Sequence, residues 1–200
     1  YRADVLNITN VKDTKAKLSL KLKGLPGGAM PPYLKIYEVK GVDTKDFKVD
    51  FSALVPMASS FEISSGMTGQ LWFSFNPKDL APGSYKGAAQ LISDGEIIQS
   101  VPLELNISPV KFPEKTTLKC LIWDYSFPVP HYSITKDNFK DAIAMMKKFF
   151  INIPVGKAVL ASYPGKKDFD KTGKLISKLD FRLFDEWIKL WPDAAAYQIF

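Results

Sequence analysis

Residues 15–23 alternate polar and apolar side chains without a break, which places Ala16, Leu18, Leu20 and Leu22 on one face of a strand and lysines on the other. The same two-residue period returns at Leu71, Phe73 and Phe75, and again at Val101, Leu103, Leu105 and Ile107. Residues 4–9, 33–39, 51–55 and 85–92 have the composition of further strands. About seven strands separated by turn-forming residues are therefore predicted, the pattern of an antiparallel sandwich. Asp94-Gly95 supplies a two-residue hairpin turn, so residues 85–92 should pair with 97–107.

Near Val110 the pattern changes to strand, helix, strand and helix. Residues 109–116, with Pro109 and Pro113, oppose both sheet and helix and read as a linker between a first domain at 1–108 and a second at 117–200. Residues 118–124 form a short, nearly continuous apolar run, the kind of strand that is covered on both faces in a parallel sheet. Thr135 is placed to cap a helix whose buried stripe is Phe139, Ala142, Ile143, Met146 and Phe150. A second strand is expected at 150–154, and a hairpin pairing 159–163 with 174–179 across a turn at 170–173. A second helix at 181–191 carries Phe181, Phe184, Ile188 and Trp191 at helical spacing, with Asp180 to cap it and Pro192 to stop it. Residues 197–200 read as a third strand. Two β/α units and a third strand open a parallel α/β fold, but a (β/α)8 barrel needs about 250 residues and three strands cannot close one. The expected fold is thus an all-β sandwich followed by the first β/α units of an incomplete (β/α)8 (TIM) barrel.

Composition narrows the chemistry. The net charge of +6 comes almost wholly from lysine, Arg2 and Arg182 being the only arginines, and no dense basic block occurs. Through Val110 there are twelve basic and eleven acidic residues, against fifteen and ten after it. Scattered lysines describe a solvated surface rather than a nucleic-acid site, which favours clustered arginine and exposed aromatics. The single Cys120 excludes an intrachain disulfide and a cysteine-based zinc site, and its apolar surroundings describe a buried, inert thiol. The single His131 excludes a multi-histidine metal centre, and no metal or cofactor is expected. No run approaches the roughly 18 apolar residues of a membrane span. A chain that starts at Tyr1 reads as a processed or trimmed product.

Two stretches carry a resemblance. Residues 76–85, in which Pro77, Pro82 and Gly83 turn the chain ahead of Tyr85, resemble the loop before a late strand of immunoglobulin-like and fibronectin-like modules. There a tyrosine hydroxyl ties the corner to the backbone. Leu121-Ile122-Trp123-Asp124-Tyr125, Ala142-Ile143-Ala144-Met145-Met146-Lys147, Phe169-Asp170-Lys171-Thr172-Gly173-Lys174-Leu175, Leu179-Asp180-Phe181 and Phe184-Asp185-Glu186-Trp187 are similar to the first third of bacterial barrel glycoside hydrolases that carry an N-terminal immunoglobulin-like sandwich. The pattern resembles the catalytic region related to glycoside hydrolase family 123, whose members act on N-acetylhexosaminides. The resemblance covers roughly the last 90 residues. It implies a secreted, periplasmic or cell-envelope retaining glycosidase with a glycan substrate. Its catalytic acids would lie on later strands, so no catalytic residue is assigned in this chain, and the missing barrel strands or an equivalent partner surface would complete the fold.

Barrel active sites form at the C-terminal ends of the strands. By that rule Asp124, Tyr125 and His131, after the first strand, and Asn152, after the second, face substrate. Asp124 suits hydrogen bonds to sugar hydroxyls, or else caps a loop or pairs with a lysine. The Asn152 amide has a structural alternative at the strand end, and Trp123 reads as core. Asp168 and Asp170 bracket a turn and lack the spacing of a calcium loop. The competing function is a non-catalytic carbohydrate- or protein-binding module. Its stacking candidate is Trp72, on the strand face opposite Leu71 and Phe73, where the plainer reading is a spacer module.

Overall fold

The computed structural model describes residues 2–111, 113–121, 134–157, 160 and 163–199. The chain divides into two compact units, Tyr1–Phe112 and Pro113–Phe200. Among its described residues the first holds eight strands: β1 (Arg2–Thr9), β2 (Ala16–Lys23), β3 (Leu34–Asp43), β4 (Val49–Pro56), β5 (Phe61–Ile63), β6 (Thr68–Phe75), β7 (Gly83–Ser93) and β8 (Glu96–Ile107). One antiparallel sheet has the order β1-β6-β3-β4 and the other β5-β2-β7-β8. The strand that periodicity missed is β5, whose three residues are too few to show an alternation.

The alternation read from the sequence is the alternation of burial. Leu18, Leu20 and Leu22 of β2, Ala89 and Leu91 of β7, Leu34 and Ile36 of β3, and Leu71 and Phe73 of β6 form one core between the sheets with Phe61 and Ile63 of β5. Each such leucine or phenylalanine contributes about 1.5–3 kcal/mol by leaving water. Asp94 and Gly95 both take positive φ, 52° and 86°, and join β7 to β8 as a two-residue turn whose twist matches the strands. The Tyr85 hydroxyl donates to the Ala81 carbonyl at 2.9 Å, closing the corner ahead of β7. Gly87 is required by proximity, since a Cβ there would lie 2.6 Å from the Lys23 carbonyl oxygen.

In the second unit Leu121 bridges Ile153 in parallel, marking the first strand, whose continuation lies outside the described residues. Helix α1 (Phe139–Lys148) is preceded by a reciprocal cap. Thr135 Oγ1 accepts the Asn138 N–H and Asn138 Oδ1 accepts the Thr135 N–H. At its other end Phe150 adopts φ 65°, and the Phe150 and Ile151 N–H groups donate back to the Lys147 and Met146 carbonyls. This is a Schellman closure with phenylalanine where glycine is usual. It corrects two expectations. Phe150 turns out of the helical stripe, and the chain only then extends, so of the expected strand 150–154 Ile153 bridges Leu121 and the ladder continues as β9 (Val155–Gly156). Strand β10 (Gln198–Ile199) pairs with β9 in parallel.

Helix α2 (Arg182–Lys189) follows Asp180, whose carboxylate accepts the Arg182 N–H at 3.0 Å. Phe181 precedes the helix and is exposed, whereas Trp187 is 2% exposed, so the buried stripe is Phe184, Trp187, Ile188 and Trp191. These pack with Ile143, Leu160, Met146 and Ile199 into a separate core. The turn at 170–173 forms, but it joins Phe169 to Leu175 in a single bridge, and part of the expected 159–163 arm lies outside the described residues. The molecule is therefore an antiparallel sandwich followed by strands and helices arranged as the start of an open, unclosed α/β barrel.

Candidate functional site

Of the residues expected at the strand ends, Asp124, Tyr125 and His131 lie outside the described residues. Asn152 is described, and its chemistry is directed at the backbone. Its Oδ1 accepts the Cys120 N–H and its Nδ2 donates to the Leu118 carbonyl, both at 2.8 Å. Its own N–H donates to the Cys120 carbonyl at 3.1 Å, and its carbonyl accepts the Ala195 N–H at 2.8 Å. One side chain thus imitates a rung of sheet and joins the first strand segment to the second, while its backbone reaches the approach to β10. The half-buried Cys120 supplies backbone groups to this junction.

Among the described residues of this unit, the carboxylates with shifted pKa hold loops. Asp170 accepts the Thr172 hydroxyl at 2.6 Å and the Thr172 and Lys174 N–H groups, and the Thr172 hydroxyl leads in holding its pKa down. Asp168 is also held down, first by the Ser177 hydroxyl and then by the Gly165 N–H. Asp180, exposed and bonded to Nε and Nη2 of Arg182 as well as its N–H, falls to about 2. A glycosidase general acid needs the opposite shift, a pKa raised so that the proton is still held near neutrality. None of these three aspartates has it. Among the described residues no group of three His, Cys, Asp or Glu could hold a metal, and no helix is long and apolar enough to cross a membrane.

Trp191, 1% exposed, is enclosed by polar contacts from both sides of the second core. The Lys147 ammonium sits 5.1 Å from its ring centroid and donates to the Leu190 carbonyl at 2.6 Å, and the Tyr197 hydroxyl donates to the Trp191 carbonyl at 2.7 Å. Its Nε1 is a buried donor without a partner among the described residues.

In the first unit, a cleft of about 300 Å³ opens between the sheet edges β1 and β8 above Phe73, Ala89 and Leu103. The register sets Arg2 opposite Phe75 and Asp4 opposite Phe73, so both charges fall on the core-facing side of an edge strand. Inward charges of this kind oppose the addition of a further strand. The outer face of the β1-β6-β3-β4 sheet differs. Val5, Trp72, Tyr37 and Pro56 stand directly opposite one another across its four strands. The neighbouring row places Asn7 opposite Gln70, joined by a 2.8 Å hydrogen bond. Sequence reading singled out Trp72 alone. Tyr37 was missed because only the register reveals that it lies beside Trp72, thirty-five positions away in the chain.

No protein-family model matches the chain, and no curated protein does. Solved structures do. The chain is similar to a family 123 glycoside hydrolase from Clostridium perfringens, described for glycolipid glycan hydrolysis, with a TM-score of 0.55 and 14% identity. The match covers 94% of this chain and 39% of that one, so the chain spans well under half the length of the hydrolase. An extracellular fragment of EsaA from Streptococcus gallolyticus matches over 54% of this chain and 23% of its own, at TM-score 0.26 and 13% identity. The CsuC-CsuE chaperone-tip adhesion subunit complex of Acinetobacter baumannii matches over 52% and 47%, at TM-score 0.27 and 10% identity. Those two scores are too low to bear on the fold. The hydrolase match runs through both units of this chain, and at this identity it bears on the fold alone.

Proposed function

We propose that this chain is the N-terminal part of a longer, exported glycoside hydrolase that acts on N-acetylhexosamine-containing glycans, its sandwich supporting a catalytic barrel. The observation that carries the reading is the likeness in architecture to the Clostridium perfringens hydrolase, which runs through 94% of the chain instead of stopping at a common sandwich. In this reading the catalytic carboxylates lie on later barrel strands, and residues 1–200 position the first part of the substrate cleft. Asp124, Tyr125 and His131 contact sugar hydroxyls at the end of the first strand. Asn152 acts indirectly, holding the first strand segment through its bonds to Leu118 and Cys120.

The test is hydrolysis of chromogenic N-acetylhexosaminides by the complete gene product and by residues 1–200 alone. The complete product should be active and the shorter chain silent. In the complete product Asp124→Ala should lower kcat/KM by about 10–100-fold, the value of a hydrogen bond to a charged group. A complete product that binds glycans but cleaves none would replace this reading with the non-catalytic module.

A further inference from the structure

We propose that the outer face of the β1-β6-β3-β4 sheet is a binding site for a neutral glycan chain, with Trp72 and Tyr37 as its stacking platform. It draws on the glycan reading above only for the class of ligand. Directly opposed residues on paired strands have Cβ atoms about 5 Å apart, so the half-buried Trp72 and Tyr37 stand side by side on this face. Val5, 41% exposed, and Pro56 extend the row to both sheet edges. Val39, two residues from Tyr37 and opposite Leu54, is 9% exposed yet lies outside the inter-sheet core. Its neighbours on the outer face therefore shield it from water.

Polar rows flank the rings. On one side Ser74 lies between Ala3 and Lys35, and on the other Asn7 lies opposite Gln70. Pyranose rings need this combination, since their C–H faces stack on aromatic rings while hydroxyls at the ring edge exchange hydrogen bonds with amides and hydroxyls.

Charge selects the ligand further. The outward positions of β1 and β6 are Ala3, Val5, Asn7, Thr9, Thr68, Gln70, Trp72 and Ser74, all uncharged in a chain of net charge +6. The outer face of the other sheet is charged, with Lys17 opposite Glu62, Lys86 opposite Glu104, and Lys21 and Lys23 between them. Lys35, opposite Ser74, adds a solvent-exposed charge to the neighbouring row, so an uncharged saccharide seated on Trp72 and Tyr37 leaves that ammonium in water.

The experiment is calorimetric titration of the 200-residue chain with chitohexaose, a neutral oligomer of N-acetylglucosamine, and with maltohexaose. Tryptophan fluorescence and sedimentation are followed in parallel. At least one oligosaccharide should bind and perturb tryptophan emission. Trp72→Ala and Tyr37→Ala should each weaken binding by about tenfold or more, Trp72→Phe should retain most of it, and Lys21→Ala should leave it unchanged. If Trp72→Ala does not fold, Gln70→Ala and Tyr37→Ala carry the test. Lack of binding of both probes up to about 10 mM, far weaker than a functional site, would overturn the proposal. So would equal affinity of the folded Trp72→Ala variant, or a wild-type dimer that Trp72→Ala dissolves, which would assign the face to a second copy. Hydrolysis is not read in this titration, so failure of the catalytic assignment leaves it standing, and the reverse.

Discussion

Phe47 is fully exposed and sits at φ 58° in the β3–β4 hairpin, where its N–H donates to the Thr44 carbonyl at 3.0 Å. This is the glycine-favouring position of a three-residue hairpin loop. A phenylalanine there strains the backbone without burying its ring, so Phe47→Gly should stabilise the chain by about 0.5–1 kcal/mol, the left-handed cost less the greater freedom of glycine when unfolded. Urea denaturation will show the midpoint rise. Asp180 gives a pH test. Its folded pKa of about 2 lies below the ordinary carboxylate value because Arg182 bonds to its ionised form. That preference contributes fully above the unfolded value near 3.8 and is lost as pH falls through about 2. Carboxyl NMR titration should find the midpoint near 2 in the native chain, moving up toward 3.8 in Arg182→Ala. A midpoint unmoved by that substitution would remove the bidentate bond as the cause.

Elements here are held by a few specific hydrogen bonds laid over periodic burial. The tyrosine corner was legible because Pro and Gly precede Tyr85 in a characteristic loop. Tyr85→Phe removes only the bond to Ala81 and should cost about 1 kcal/mol, read as a lower unfolding midpoint of the sandwich. Asn152 was legible as a polar residue at a strand end, but not as a suture. Which backbone it meets depends on the Schellman turn at Phe150, and a left-handed phenylalanine leaves no trace in a hydrophobic pattern. Asn152→Ala leaves the Cys120 N–H and Leu118 carbonyl without their side-chain partner. It should destabilise the second unit by about 1–3 kcal/mol and raise amide exchange at Cys120. Unchanged exchange would show that the amide is dispensable. The α2 stripe shows a similar limit, since placing the helix start one residue early made Phe181 look like core in place of Trp187.

At the scale of the molecule, the two cores share no member, one built between the sheets and the other around Ile143, Leu160, Trp187 and Trp191. Residues 1–112 expressed alone should therefore unfold in one cooperative urea transition with a β-type circular dichroism spectrum. Residues 113–200 alone should show weak cooperativity or associate. Among the described residues their parallel pairing is β9 with β10 and the Leu121–Ile153 bridge, which leave strand edges open. A sharp, concentration-independent transition for the second fragment would show that its core suffices.

Features that repeat locally are written in the chain: the two-residue period of the sandwich strands, the Asp94-Gly95 turn, the Thr135 cap and the change near Val110 from alternating strands to strand and helix. Short-range sterics and burial impose these, and neighbouring residues carry the information. Other features arise from register between distant segments and exist only in the folded chain. That set includes the pairing of Trp72 with Tyr37, the inward placement of Arg2 and Asp4 on β1, the late start of β9 and the direction of the Asn152 amide. In a sheet, a shift of one residue exchanges the two faces, so face identity is visible in a single strand, whereas the company a side chain keeps across strands is settled only when the sheet assembles.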